Sequence, residues 1–421
     1  MSTPADPSAP PLPDASLGER KLPTRPRATL VKATVVVVVI LVAAGGIGWA
    51  TGWFSHAPEG ILGWLAPPCP PTVGLNGSGS TFVAPLMQTW THAYEGGAES
   101  RERGCDVVQV AYNASGAGTG LGELISGGTD FVATEEPLNA SAAASLPAPT
   151  LTLPVALGAV AVAYDLPGVP AGLNLTGAIL AAIYLGTITA WNDSAIVAIN
   201  PGVALPSDVP ISVIHGAPGS STNYVFTGFL SASNATWDDQ VGQGATVVWP
   251  TGISASGDAG AVSVLQGTTG GIAFLGFAYA QDSNLTCAKI QNPADVFVAP
   301  SVTSIYAAAT AYGESLPLGN QSWQNVSLLD QSGNDSYPLT TFTYVVCYAN
   351  LGQADRGTLT QNTAAWLASF LYWMSAAGQN YGAALGYPPL SSHVITTNEQ
   401  IVELLTYDGL PALGDVDYDG D

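Results

Sequence analysis

The sequence predicts an α/β protein of two lobes with one N-terminal transmembrane helix. Its 421 residues are too many for one small core and suit two lobes with attachments. Beyond about residue 72, short runs of β-branched and aromatic residues alternate with stretches of helical periodicity, which predicts a parallel or mixed sheet with helices on both faces. Near the N-terminus, one long apolar run carries no charge.

Individual elements follow from the side-chain pattern. Four runs rich in β-branched and aromatic residues are predicted strands: residues 107–112, 155–164, 211–214 and 342–348. One helix face is predicted by four residues that recur every four positions: Phe82, Leu86, Trp90 and Tyr94. Residues 364–377, with Trp366, Phe370 and Trp373, predict another helix.

The apolar run spans residues 33–54 and is long enough to cross a bilayer as a helix at about 1.5 Å per residue. A cleaved signal peptide is the rival interpretation, but its apolar core would be shorter and no A-x-A-like site follows cleanly. Cys69 hints at a lipoprotein, although the prolines before it do not fit a lipobox. We expect an uncleaved anchor between a disordered Pro-, Ser- and Ala-rich segment, residues 1–32, and a linker, residues 55–72.

Charge sets the orientation of this anchor. Five of the nine Lys and Arg residues precede it, and basic residues stay on the cytoplasmic side. Everything after residue 54 is therefore expected outside the cell. That outer part has four basic residues against 28 carboxylates, a net charge of −24, so we expect no nucleic-acid partner.

The four cysteines, Cys69, Cys105, Cys287 and Cys347, all lie in this outer part. An even number in an oxidising compartment predicts two disulfides, for which three connectivities exist. No C-x-x-C pair occurs and the four histidines lack metal-binding spacing, so we expect no metal and no cofactor. Ten N-x-S/T sequons could accept glycans, although an Asn-, Ser- and Thr-rich sequence also forms such triplets by chance.

Motifs for other chemistry are incomplete or missing. Residues 414–421 match the first half of an EF-hand loop, without the glutamate that completes calcium coordination. The sequence contains no G-x-S-x-G nucleophile elbow and no Walker-type phosphate loop. We therefore expect no catalysis and, over residues 408–421, a solvated acidic tail.

Three segments share one pattern, in which a predicted strand is followed by a Gly/Ser/Thr-rich turn and then by a helix. The turns are residues 75–82, 112–120 and 214–222. A helix N-terminus leaves backbone N–H groups without partners, and the helix dipole favours negative charge there. Gly lets the backbone approach an anion, while Ser and Thr add neutral donors. Helix capping explains any one turn equally well, but three that meet in a cleft would bind a small oxyanion.

At these turns the sequence resembles the phosphate-binding protein of ABC phosphate importers, the PstS family, in a membrane-anchored form of archaeal style. The similarity runs in order from about residue 73 to residue 405. It rests on six collinear segments: residues 77–86, 128–138, 162–169, 185–193, 270–280 and 385–390.

This resemblance implies a two-lobe periplasmic-binding-protein-like fold of type II, with central mixed sheets and a cleft that closes on phosphate. Lobe I is expected to comprise residues 73–160 and 285–407, and lobe II residues 161–284. By the same resemblance, the following residues bind phosphate: Ser80, Thr81, Phe82, Ala117, Gly118, Glu135, Ser220, Ser221 and Thr222. Glu135 falls where the family has an aspartate that accepts the proton of hydrogen phosphate and so repels fully ionised sulfate.

The chain departs from the family pattern around the cleft. Ala117 replaces a serine, which leaves only the backbone amides of Ala117 and Gly118 at the second turn unless Ser115 or Thr119 substitutes. Gly216 replaces an arginine, and Pro218 replaces the aspartate that pairs with it. Because both members of the ion pair are missing, neither charge is left without its partner. His215 adjoins the missing arginine, so it either supplies a phosphate-binding cation at acidic pH or points away from the cleft.

The function implied by the resemblance is capture of inorganic phosphate outside the cell and its delivery to the permease of an ABC importer, by a monomer anchored in the membrane. Two alternatives stay open: binding of another small oxyanion, and a surface sensor or adhesion module on the same fold. For the cysteines, the implied fold favours the pairs Cys69–Cys105 and Cys287–Cys347, since each pair brackets strands that would lie side by side.

Overall fold

A computed structural model describes residues 72–97, 100–102, 105–312, 316–352 and 359–413. For residues 101, 102, 105 and 106 it describes the backbone alone. The predicted anchor, the segment before it, residues 55–71 of the linker and the EF-hand-like residues 414–421 lie outside this description. None of the helices it does describe is both long enough and apolar enough to cross a bilayer.

The described chain alternates strands and helices, as the sequence predicts. The strands are β1 (Val73–Gly79), β2 (Arg101–Glu102), β3 (Cys105–Asp106), β4 (Val108–Asn113), β5 (Phe131–Thr134), β6 (Thr150–Tyr164), β7 (Asn174–Leu175), β8 (Ser212–Gly216), β9 (Ile253–Ala255), β10 (Gly271–Gly276), β11 (Lys289–Gln291), β12 (Phe297–Val298), β13 (Thr340–Tyr348), β14 (Thr406–Tyr407) and β15 (Leu410–Pro411). The α-helices are α1 (Ala84–Gly96), α2 (Ala117–Ser126), α3 (Ala140–Ser145), α4 (Gly177–Tyr184), α5 (Ser194–Ala198), α6 (Ser221–Ser233), α7 (Ala235–Gln240), α8 (Gly257–Gln266), α9 (Phe277–Asp282), α10 (Val302–Ala311), α11 (Gln361–Ser375) and α12 (Ser392–Glu403). Two short 3₁₀ helices, Ala377–Tyr381 and Ala383–Leu385, follow α11.

One mixed sheet of eight strands organises the molecule, in the order β4-β1-β5-β13-β6-β10-β8-β9. Along its first ten residues, up to Ala159, β6 pairs antiparallel with β13. From Val160 onward it pairs with β10 instead. The strands β1, β4 and β5 run parallel to one another, as do β8, β9 and β10. One long strand therefore joins two groups of parallel strands, which is the mixed α/β architecture expected.

The buried strand β6 is longer than its predicted core, residues 155–164. It begins at Thr150 and contains Pro154, which cannot donate to a ladder. The pairing with β13 shifts register between Thr343 and Tyr344, and Tyr344 is the partner of Pro154. The irregularity accommodates the proline inside the sheet.

Aromatic side chains fill the cores on either side of the sheet. Beside α1, the ring of Tyr94 lies 5.0 Å from Phe370 and 5.3 Å from Trp373 on α11. The indole N–H of Trp90 donates to the carbonyl of Gly378 at 2.6 Å. Each fully buried side chain of this size contributes roughly 1.5–3 kcal/mol to stability. Tyr94 of the predicted face thus packs α1 against α11, whereas Phe82 of that face lies before the helix, which begins at Ala84.

Two small sheets lie outside the eight-stranded sheet, near predicted boundaries. Strand β11 pairs parallel with β7 and antiparallel with β12. The limit of lobe II at residue 284 stays a prediction. At the other end, β14 and β15 form a hairpin whose turn is Asp408 and Gly409. Residues 408–411, the first four of the predicted acidic tail, form part of this hairpin.

The predicted disulfide between Cys287 and Cys347 is wrong, because both are free thiols. Cys347 pairs with Leu151 at the start of β6, whereas Cys287 bridges to Ala163 near its end. Twelve residues of extended strand, at about 3.3 Å each, place these positions on the order of 40 Å apart, against less than about 7 Å between the Cα atoms of a disulfide. The side chains of the other predicted pair, Cys69 and Cys105, lie outside the described residues.

Candidate anion-binding site

The first predicted turn connects β1 to α1. Gly79 has φ +120°, and a side chain there would collide with the carbonyl of Ala133 on β5, so only glycine allows this approach. The Ser80 N–H donates to that same carbonyl at 2.8 Å. The Phe82 N–H donates to Ser80 Oγ at 3.1 Å. The turn is thus fixed to the end of β5.

Three tyrosines hold the carbonyl oxygens of this turn. Tyr112 donates to the carbonyl of Ser80 at 2.8 Å, Tyr279 to that of Thr81 at 2.9 Å, and Tyr387 to that of Phe82 at 2.6 Å. In a planar trans peptide the N–H points opposite to the carbonyl. The amide groups that follow these carbonyls are therefore directed away from the tyrosines.

The second and third turns touch each other. Helix α2 begins at Ala117, and the Gly118 N–H donates to the carbonyl of Gly219 at 3.1 Å. Helix α6 begins at Ser221, and its N-cap residue, Ser220, makes no side-chain cap. The hydroxyl of Ser221 lies 3.4 Å from that of Ser80, which brings the third turn against the first. The structure therefore brings together the three turns that the sequence suggests.

Glu135 lies at the end of β5 with 1% of its surface exposed. Its Oε2 accepts hydrogen bonds from Ser80 Oγ at 2.6 Å and from Ser221 Oγ, and its Oε1 accepts one from Thr343 Oγ1 at 2.7 Å. Burial raises the pKa of Glu135 to about 7, and the three hydroxyl donors oppose the rise. A buried acceptor therefore lies among the hydroxyls of two turns.

A fourth helix N-terminus supplies a second buried carboxylate. Asp258 lies in the first turn of α8 and is 3% exposed. Thr81 Oγ1 donates to Asp258 Oδ2 at 2.6 Å, the Gly276 N–H donates to Oδ1 at 2.8 Å, and Thr222 Oγ1 lies 3.3 Å from Oδ1. Burial raises the pKa of this carboxyl, while these donors oppose the rise.

The hydroxyls are divided between the two carboxylates in a regular way. On the first turn, Ser80 donates to Glu135 and its neighbour Thr81 donates to Asp258. On the third turn, Ser221 donates to Glu135 and Thr222 contacts Asp258. Two adjacent hydroxyl pairs thus connect the carboxylates on either side of them. All the donors to these carboxylates within the described chain are neutral hydroxyls and backbone amides.

The space next to the missing arginine is filled by an amide side chain. A Cβ at Gly216 would lie well inside van der Waals contact with Asn223 Oδ1. Asn223 is fully buried, and its Nδ2 donates to the carbonyl of Ala217 at 2.9 Å and to that of Ala245 at 3.1 Å. Asn223 therefore occupies the space that a side chain at residue 216 would need.

His215 lies apart from the hydroxyl cluster. Its ring stacks on Trp249 with centroids 4.8 Å apart, and its Nδ1 lies 3.1 Å from the carbonyl of Gly216. The contacts described for this side chain are packing and local hydrogen bonding. Its contribution to phosphate binding stays a prediction.

Two residues of the cluster are missing from the sequence-based set. Asp258 could have been found, because residues 253–258 repeat the strand, Gly/Ser turn and helix pattern for a fourth time. Thr343 lies inside the apolar strand β13, opposite Ala156, and its neighbours in sequence give no sign of a polar role. Its position is set by strand pairing alone.

A mixed sheet that joins two groups of parallel strands, with Gly/Ser/Thr turns that meet at helix N-termini, is typical of periplasmic-binding-protein-like folds. Comparison with known proteins agrees. The family model described as a PBP superfamily domain matches residues 66–377. The chain is 32% identical over 327 residues to the phosphate-binding protein PstS of Pasteurella multocida. The alignment covers 76% of this chain and 87% of the relative. It is 28% identical over 363 residues to the phosphate-binding protein PstS of Methanocaldococcus jannaschii, covering 83% and 88% respectively. The chain belongs to the PstS family of the PBP superfamily.

Solved structures show the same fold. A high-affinity periplasmic phosphate-binding protein called PfluDING, solved with phosphate bound, gives a TM-score of 0.60 at 17% identity and covers 82% of this chain and 97% of its own. A phosphate-binding protein from Stenotrophomonas maltophilia gives a TM-score of 0.59 at 16% identity, covering 82% and 100%. At such identities the similarity establishes the fold alone.

Proposed function

We propose that this protein captures inorganic phosphate outside the cell and delivers it to the membrane permease of an ABC importer. The observation that carries the proposal is the meeting of two adjacent hydroxyl pairs, Ser80–Thr81 and Ser221–Thr222, between the buried carboxylates of Glu135 and Asp258. Hydroxyls and helix-end amides are suitable donors for an oxyanion. Membership of the PstS family supports phosphate as that oxyanion.

In the proposed complex, the hydroxyls that now donate to carboxylates turn to the phosphate oxygens. Glu135 then accepts a hydrogen bond from a P–OH group of the ligand, because an ionised carboxylate is an acceptor only. Fully ionised sulfate has no proton to give and leaves a buried carboxylate without a donor. The remaining donors are the Phe82 N–H, the amides of Ala117 and Gly118, and the Ser220 hydroxyl.

Access to the site requires the turns to separate. The Gly118 N–H is bonded to the carbonyl of Gly219, and Thr81 is bonded to Asp258. We propose that lobe I carries β1, β4, β5 and β13, that lobe II carries β8, β9 and β10, and that β6 crosses between them at Ala159. Opening about this crossing would break the contacts between turns and admit phosphate. The observed change of β6 partner at this point supports the boundary.

The surroundings of the domain are part of the proposal. We infer a single-pass anchor at residues 33–54 with its N-terminus in the cytoplasm, from the apolar run and the basic residues before it. A disulfide between Cys69 and Cys105, a monomeric state and glycans on exposed sequons stay predictions. Three sequon asparagines already use their side chains in the fold: Asn139, Asn174 and Asn234. Glycans are therefore expected at other sequons.

Removal of one hydroxyl tests the proposed function. Thr222→Val keeps the shape of the side chain and deletes a donor to the ligand. A lost hydrogen bond to a charged group is worth roughly 1.5–3 kcal/mol, so we expect the phosphate Kd, measured by calorimetry on the full-length protein, to rise about tenfold to a hundredfold. Thr396→Val, at an exposed position on α12, is the matched control and should bind like the natural protein. Equal affinity in both variants would remove these turns from the binding site.

A further inference from the structure

The cluster contains one more carboxylate than is needed to accept a single ligand proton. Glu135 and Asp258 are both almost fully buried, and each depends on hydroxyls for its hydrogen bonds. When an oxyanion takes those hydroxyls, both carboxylates lose donors at the same time. A buried acceptor without a partner is unfavourable, so the ligand has to replace what it removes.

The protonation states of phosphate differ in what they can replace. The dianion carries one P–OH group and can satisfy one carboxylate. The monoanion carries two and can satisfy both. Charge favours the same choice, because the donors described around both carboxylates are neutral and bring no cation to offset a dianion.

We propose that the site selects the doubly protonated monoanion, H₂PO₄⁻, and that Glu135 and Asp258 each accept a hydrogen bond from one of its two P–OH groups. This inference rests on the proposed function and names the form of phosphate that the site takes. Asp258 is thereby a residue that determines specificity. Above neutral pH, where the dianion dominates in solution, binding takes up one proton from the solvent for each phosphate bound.

Other ionisable groups around the carboxylates do not supply this proton dependence. Tyr112 and Tyr387 face both the first turn and Glu135, and Tyr279 faces Asp258. Burial raises the pKa of all three phenols, so they stay neutral through the physiological range. Glu135 also lines a cavity of about 300 Å³, together with Asp330. Asp330 is outside the hydrogen-bonded cluster described around the two carboxylates.

Calorimetric titration of the full-length protein with inorganic phosphate tests the proposal. The Kd for total phosphate should be about tenfold weaker at about pH 9 than at about pH 7.5, since uptake of one proton shifts affinity about tenfold per pH unit once Glu135 is ionised. In Asp258→Asn, one acceptor becomes an amide that can also donate, so the dianion fits and the affinity loss at high pH should disappear. Glu403→Gln, an exposed carboxyl at the end of α12, is the control that keeps the loss.

The possible results distinguish failure of the proposed function from failure of the H₂PO₄⁻ proposal. No phosphate binding by the natural protein at either pH overturns the proposed function itself. Binding that is equally strong at both pH values, or an Asp258→Asn variant that keeps the full pH dependence, overturns only the choice of H₂PO₄⁻. If the variant does not fold, titrations of the natural protein at about pH 8.5 in buffers of different ionisation enthalpy decide the matter. Uptake of about one proton per phosphate supports the proposal, and no uptake refutes it.

Discussion

Ionisation of Glu135 should make the ligand-free protein less stable as the pH rises. The pKa of this carboxyl is raised in the folded state, chiefly by burial, from 4.5 to about 7. The folded protein therefore holds the proton more tightly than the unfolded chain does. Its stabilising contribution is complete below about pH 4.5 and is lost as the pH rises through about 7.

The size of the effect follows from that shift. One pKa unit corresponds to about 1.4 kcal/mol, so a rise from 4.5 to about 7 gives a loss of about 3 kcal/mol in the free energy of unfolding. For a domain of about 340 residues, with an unfolding entropy near 2.1 cal/mol/K per residue, this lowers Tm by about 4 °C. The raised pKa of Asp258 adds a loss of the same sign.

Chemical unfolding followed by circular dichroism, at several pH values between about 5 and 8, measures this loss. Glu135→Gln keeps the size of the side chain and removes the titration, so its stability should fall less over the same range. The exposed carboxyl variant Glu403→Gln should fall as the natural protein does. A natural protein whose stability is constant or increases from pH 5 to 8 would refute the reasoning. An unchanged slope in Glu135→Gln would refute it equally.

Two further variants test the structure around the site, both by denaturant unfolding. Gly216→Ala forces a Cβ into the buried amide oxygen of Asn223 and should lower the free energy of unfolding by about 1–3 kcal/mol. The control, Gly122→Ala, has open space around it in α2 and should raise that free energy by about 0.5–1 kcal/mol. Similar effects in both variants would show that the contact at Gly216 is not tight. Tyr387→Phe removes the donor to the buried carbonyl of Phe82 and should lower the free energy of unfolding by about 1–3 kcal/mol. The control, Tyr381→Phe, is at a residue 42% exposed and should leave stability unchanged. Unchanged stability in Tyr387→Phe would show that this hydrogen bond does not stabilise the turn.

Local pattern was sufficient for the elements that bury one clear face. The recurrence of Leu86, Trp90 and Tyr94 gives α1, because the side chains at that spacing pack on α11 in the structure. The strands around residues 155–164 and 342–348 follow from their β-branched and aromatic runs, since both lie at the centre of the sheet. In these places tertiary packing acts in the same direction as local propensity.

Relations between distant segments could not be obtained in this way. The disulfide prediction failed because Cys287 and Cys347 pair with opposite ends of β6. That geometry depends on β6 running through both halves of the sheet, which no single run of residues reveals. Strand pairing also places Thr343 beside Glu135. Its sequence neighbours alone would class it as an ordinary strand residue.

The turns of the candidate site could be singled out from sequence, but not every polar group between them. Gly/Ser/Thr turns before helices have a physical reason to bind oxyanions, whereas the choice of Ser80, Thr81 and Thr222 within them came from the family resemblance. Asp258 was missed because an acidic residue in a turn normally indicates a cap or a solvated surface. Its burial, and the hydrogen bond from Thr81, become visible only once the turns meet.

The central claim is that a cluster of neutral donors and buried carboxylates binds an oxyanion only if the oxyanion carries protons. Calorimetric titration of the full-length protein with phosphate and, separately, with sulfate at about pH 8.5, where Glu135 is ionised and can only accept, tests this most directly. The account predicts one phosphate bound per chain and no detectable heat from sulfate. Sulfate binding as tight as that of phosphate would contradict the claim, because sulfate offers no proton to Glu135 or Asp258.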